Sequence, residues 1–140
     1  MRFVNPTGKG IRNDAGGQGY HGAPRGTRKH DGIDYAADVD QIVVAVHEGL
    51  IPRESLPYGN DLRWRGVHII HERIETKMWY LRPFSEVIGT EVRAGQAIGF
   101  AQNIGEKEGY EGVTPHIHVR IVKIDPTLVF GDPAVEDEIF

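Results

Sequence analysis

The chain has 140 residues, of which 39% are hydrophobic and 26% charged, enough for one soluble domain with its own core. It contains no cysteine, which excludes a disulfide framework, a thiolate metal centre and a cysteine nucleophile, so any metal must be held by nitrogen and oxygen. A net charge of −4 gives no general basic surface for nucleic acid, and no segment has the apolar length of a membrane span.

The first residues, Met1-Arg2-Phe3-Val4-Asn5-Pro6, lack the apolar stretch of a secretory leader. Residues 5–32 are dense in Gly, Pro, Asn and Asp and read as a loop-rich approach to the domain. The bases of residues 1–30 (Arg2, Lys9, Arg12, Arg25, Arg28 and Lys29, against Asp14) read as solvated surface. Gln41–Val46 is apolar and β-branched, Glu48-Gly49 turns into Leu50–Arg53, and Pro57-Tyr58-Gly59-Asn60 is a further turn. Val67–His71 and Thr76–Leu81 read as the two arms of a hairpin. Val87–Val92 leads through Ala94-Gly95 to a strand over Gln96–Ala101. His116–Lys123 alternates, with His116, His118, Arg120 and Val122 on one face. No segment has sustained helical periodicity, so the expected class is all-β with short antiparallel strands. Residues 1–130 form the domain, and 131–140 read as an acidic tail.

Two patterns carry chemistry. His30-Asp31-Gly32-Ile33-Asp34 places a histidine and an aspartate four apart in the loop-rich region. Pro115-His116-Ile117-His118 opens a strand, where alternation projects both histidines to the same side, either as a solvated polar face or as a site. Hydrolytic zinc takes three protein ligands from His, Asp and Glu and leaves one position open. His30, Asp34 and one of His116 and His118 would supply that set, with the other histidine free to take a proton from the attacking water.

The chain resembles the lysostaphin/LytM-type zinc endopeptidases, which cut peptide bonds in bacterial peptidoglycan. Residues 28–34, Tyr58-Gly59-Asn60 with Gly66–His71, Val92–Gly99 and Thr114–His118 carry the resemblance, and Asp125-Pro126 falls where such domains close. It implies an antiparallel β-sheet or sandwich of the duplicated hybrid motif type, with zinc held by His30, Asp34 and His118 and with His116 beside the metal. The implied partner is a peptidoglycan peptide, or another peptide or glycan ligand. One departure is central. Active members carry a second catalytic histidine in a Tyr-x-His-Leu context, where this chain has Tyr80-Leu81-Arg82-Pro83.

Residues 66–83 are more similar to the leukocyte cell-derived chemotaxins, which keep the zinc site and replace that histidine with a basic residue. Arg82 stays charged and cannot shuttle a proton, but it can stabilise an oxyanion. Two readings follow: a zinc metalloendopeptidase, or an inactive zinc-binding recognition module. Without a leader, the enzyme reading implies delivery in a phage tail or virion, with other virion proteins as partners, or release by another route; otherwise the chain is cytoplasmic. His68 reads as a surface or edge histidine, with the groove as its alternative. His21 and His47 read as structural or solvated, and Trp79 and Tyr80 as strand packing or groove lining.

Overall fold

The computed structural model describes residues 1–14, 17–19, 22, 24–25, 28–29 and 32–122, with the side chains of 18, 24–25 and 28–29 left aside. His21, His30 and the tail at 131–140 lie outside the described residues. No α-helix occurs among the described residues, and hence none long and apolar enough to cross a membrane.

Two short ladders come first, β1 (Asn13–Asp14) with β2 (Gly17–Gln18) and β3 (Pro24–Arg25) with β4 (Arg28–Lys29). The remaining strands are β5 (Ile33–Ala36), β6 (Ile42–Val44), β7 (Gly49–Ile51), β8 (Gly66–His71), β9 (Ile74–Trp79), β10 (Leu81–Pro83), β11 (Thr90–Val92), β12 (Ala97–Ala101) and β13 (His116–Val122). They form a six-stranded sheet in the order β11-β7-β8-β9-β13-β5 and a three-stranded sheet in the order β10-β12-β6. Every pairing is antiparallel. The all-β expectation therefore holds.

The hairpin read from the sequence is β8–β9, closed at the His71–Ile74 pair, and its second arm is shorter than expected. Tyr80 has φ 77°, a left-handed conformation costly for a bulky residue. There the chain leaves the large sheet, and Leu81 begins β10 in the small one. Thr76–Leu81 is thus two strands rather than one. Val87–Val92 also divides, into a 3-10 turn at Ser85–Val87 and the strand β11.

One buried cluster joins the two sheets. Val43, Leu81, Ile98 and Ala101 come from the small sheet, and Ile51, Val67, Ile69, Met78 and Ile117 from the large one. The apolar residues recur at alternate positions because successive strand side chains face opposite ways. Gly66 lets β8 pass close to β9, since a Cβ there would lie 2.0 Å from the Met78 carbonyl oxygen. The opposite face of β13 is covered as well, by a second cluster of Trp64, Tyr80 and Ile104 with Tyr58, Trp79, Tyr110 and Val113, and by the N-terminal segment.

Candidate metal centre

Register brings the two sequence patterns together. β13 runs antiparallel to β5 with His118 opposite Asp34 and His116 opposite Ala36. Ile117 turns into the core, so His116 and His118 share the other face with Asp34. That face is not solvated: Asp34, His116 and His118 are 2%, 3% and 6% exposed. Gly32, from the first pattern, packs on the site. A Cβ at this position would lie 2.4 Å from the Val119 carbonyl oxygen and 2.8 Å from His118 Cε1.

His118 Nδ1 is 2.8 Å from Asp34 Oδ1, and His116 Nε2 is 3.7 Å from Asp34 Oδ2. His116 Nδ1 lies 2.7 Å from the Thr114 carbonyl oxygen. A carbonyl only accepts, so Nδ1 carries the proton and Nε2 presents its lone pair to the site. Burial lowers the His116 pKa to about 4, against the opposing pull of Asp34 and of the Thr114 hydrogen bond. The ring is therefore neutral near pH 7, the form a base requires.

Aromatic rings wall the cluster. Trp79 stacks on His118 with centroids 5.1 Å apart, and its Nε1–H donates to Ser55 Oγ at 2.8 Å. Tyr80 meets His116 edge-on at 5.2 Å. The Tyr58 hydroxyl lies 2.7 Å from that of Tyr80 and 2.8 Å from that of Tyr110. Burial raises the Tyr58 and Tyr80 pKa values, so both phenols keep their protons. Trp79 and Tyr80 thus pack and line the site together.

Among the described residues no set of three ligands closes round a metal position. Asp34 and His118 make two, and His30 lies outside the described residues. The donor set fits a divalent borderline metal: a carboxylate and an imidazole converge in a buried, sulfur-free pocket. A second imidazole stands beside them.

Arg82 occupies different surroundings. Its Nη2–H donates to Asp40 Oδ1 at 3.0 Å, its guanidinium lies over Phe100, and its side chain is about half exposed. With Asp40, Trp64 and Arg65 it lines an open pocket of about 380 Å³. His68, expected at a surface or edge, is instead buried, with Nδ1 2.7 Å from Glu75 Oε1. One base of the N-terminal segment departs from its solvated reading, while Arg2 is exposed as expected. Arg12 is 6% exposed, and its Nε–H donates to Asp34 Oδ2 at 2.8 Å. The sequence carried no pattern that singled Arg12 out from the bases around it.

The sequence profile of peptidase family M23 matches residues 28–129. The chain belongs to peptidase family M23. The DD-carboxypeptidase/endopeptidase Mpg of Neisseria meningitidis serogroup B is 37% identical over 94 residues, covering 65% of this chain and 19% of that protein. The Mpg protein of Neisseria gonorrhoeae matches to the same extent. This M23 chain thus spans about a fifth of the length of these relatives. Among solved structures, the catalytic domain of the antimicrobial peptidase lysostaphin from Staphylococcus simulans superposes with a TM-score of 0.58 at 24% identity, covering 81% of each chain. Helicobacter pylori Csd3 gives 0.62 at 20% identity, over 88% of this chain and 30% of that one. These likenesses establish the M23 fold and agree with the all-β architecture.

Proposed function

We propose that this M23 domain is a zinc-dependent metalloendopeptidase that hydrolyses peptide bonds in bacterial cell-wall peptidoglycan. The observation that carries the reading is the buried convergence of Asp34, His116 and His118, with His116 Nε2 turned to the Asp34 carboxylate at 3.7 Å. Asp34 and His118, joined by His30, would hold the metal. When bound, zinc acts as a Lewis acid that polarises the scissile carbonyl and makes water a nucleophile near neutral pH.

His116 takes the proton of the attacking water at Nε2, and its Nδ1–H bond to Thr114 keeps the ring aimed. The stacked Trp79 ring holds His118 in its plane and excludes water from one side. Tyr58, Tyr80 and Tyr110 share two hydroxyl contacts. Three hydroxyls carry three protons, so one remains to hydrogen-bond a substrate carbonyl. Arg82 contributes fixed positive charge to the pocket it lines with Asp40, Trp64 and Arg65, suited to a peptide carboxylate.

One observation favours a second reading. Arg82 is engaged by Asp40 rather than by the histidines, which suits a domain that keeps its metal and recognises peptide or glycan without cutting it. Zinc stoichiometry followed by peptidoglycan digestion separates the two. The enzyme reading expects turnover in the zinc-loaded wild type and a loss on the order of 10²–10⁴ in rate for His116→Ala. No turnover in the wild type, with activity appearing in Arg82→His, would establish the recognition module instead.

A further inference from the structure

We infer that Arg12 and Asp14 are positioning residues of the metal centre, tying the Asp34 carboxylate and the His116 ring to one buried charge network. The inference rests on the zinc reading above and concerns residues outside the stretch 28–129 that matches the family.

The network can be followed bond by bond. Arg12 donates from Nε to Asp34 Oδ2 at 2.8 Å and from Nη1 to Asp14 Oδ1 at 3.0 Å. Nη1 also donates to the Gly17 carbonyl at 2.9 Å. Asp14 Oδ2 accepts the Thr114 N–H at 2.7 Å, across 100 residues of chain. The carbonyl of the same Thr114 accepts the His116 Nδ1–H at 2.7 Å. One guanidinium is therefore a single bond from the candidate carboxylate ligand. Through Asp14 and one residue's backbone, it is also linked to the candidate base.

The main chain builds the same connection. Arg12 N–H donates to the Asp34 carbonyl at 2.9 Å, Asp34 N–H to the Gly19 carbonyl at 2.7 Å, and Gly19 N–H to the Arg12 carbonyl at 2.9 Å. Gly19 is what lets the three backbones meet. A Cβ there would lie 2.7 Å from Arg12 Cγ and 2.8 Å from Asp34 Cβ.

The side chains of Arg12 and Asp14 are 6% and 9% exposed. Burying charges is costly, and the cost is offset only where each is paired with good geometry. A surface arginine would not require this enclosure. An arginine fixing the plane of a ligand carboxylate gains by it, because the donor atoms are held in place before the metal arrives.

The test is zinc affinity of the metal-free protein, titrated with Zn²⁺ against a chromophoric chelator, with circular dichroism reporting folding. Arg12→Gln is expected to raise the zinc Kd on the order of 10–100-fold. Arg12→Lys keeps the charge but loses the fork, and should recover part of that loss. Asp14→Asn keeps an acceptor for Thr114 N–H and removes the charge facing Arg12, so its Kd should rise by less. Ile69→Val, in the apolar core, should lower Tm and leave the Kd at the wild-type value.

Wild-type zinc affinity in folded Arg12→Gln and Asp14→Asn would overturn the inference and leave the proposed function standing. Where Arg12→Gln does not fold, unchanged affinity in Arg12→Lys and Asp14→Asn overturns it equally. A wild type that takes up no zinc would remove the proposed function itself.

Discussion

On one face of β13, Ile117 is fully buried in the apolar cluster with Val67, Ile69 and Met78. On the other, His116 and His118 are almost as inaccessible but lie among a carboxylate, a guanidinium and two aromatic rings. The difference lies in what each face demands of its neighbours. An apolar side chain asks for volume, and shape errors are graded. A buried charge or imidazole asks for a specific partner atom at a specific place, and its loss leaves a desolvated group behind. The polar face therefore concentrates the largest responses to substitution.

Asp34→Ala should show this most strongly. It removes the carboxylate that faces Arg12 Nε at 2.8 Å, where both side chains are under 10% exposed. Breaking a buried pair by deleting one partner costs about 3–5 kcal/mol, and urea unfolding of the metal-free protein should register a loss of that order. Zinc content should fall to background in the same variant. A loss below about 1 kcal/mol would place the pair in the weak class of solvent-exposed bridges.

Gly32→Ala probes the same face by volume. The added methyl meets the Val119 carbonyl and the His118 ring, and overpacking of this kind costs about 1–3 kcal/mol. Because the obstacle is backbone on one side, the displacement should fall on His118. Zinc affinity is therefore expected to weaken together with Tm. A variant that loses stability and keeps wild-type zinc affinity would show that the strain is absorbed elsewhere.

The two faces were not equally legible from sequence. Alternation alone put His116 and His118 on one side of a strand, and the β8–β9 hairpin followed from two β-branched runs and a short polar break. The meeting of Asp34 with His118 depends on strand register across 84 residues, which spacing does not encode; resemblance to a family supplied it. The roles of Arg12 and Asp14 were illegible because the partners that tie them to the site, Asp34 and Thr114, are 22 and 100 residues away, and a base in a glycine-rich segment looks the same whether solvated or buried. The break at Tyr80 was hidden for a different reason. Its apolar, aromatic setting favours a continuous strand, and only the transfer between sheets imposes the left-handed backbone.

Acid should also separate charged from apolar burial. His47 is fully buried, with Nε2 2.8 Å from Thr76 Oγ1, Nδ1 2.6 Å from the Glu48 carbonyl oxygen, and its ring edge-on to Phe3. Burial lowers its pKa from 6.5, and burial likewise lowers that of His68. A histidine with a lowered folded pKa takes up fewer protons than the unfolded chain. Its contribution to stability is therefore complete above about pH 6.5 and is lost as pH falls below that value. The urea midpoint of the metal-free protein should decline between pH 7 and pH 5. His47→Gln, which cannot titrate, should flatten that decline. An unchanged slope in the variant would assign the acid sensitivity to other groups.

Ile117→Val is the smallest perturbation and the one that most directly isolates the comparison. Ile117 lies between the two histidines in sequence, so any disturbance of the β13 backbone would reach His116 and His118 at once. Removing one buried methylene costs about 0.5–1.5 kcal/mol when neighbours relax only in part. The adjacent strands β9 and β5 hold β13 by main-chain bonds on both edges, so the loss should stay within the apolar cluster. Tm is expected to fall while the Kd for added Zn²⁺ and the proposed peptidase activity keep their wild-type values. A change in Kd from this single methylene would show that core packing and metal geometry are mechanically coupled through the strand. In that case β13 would be a transmitter between its two faces rather than a wall between them.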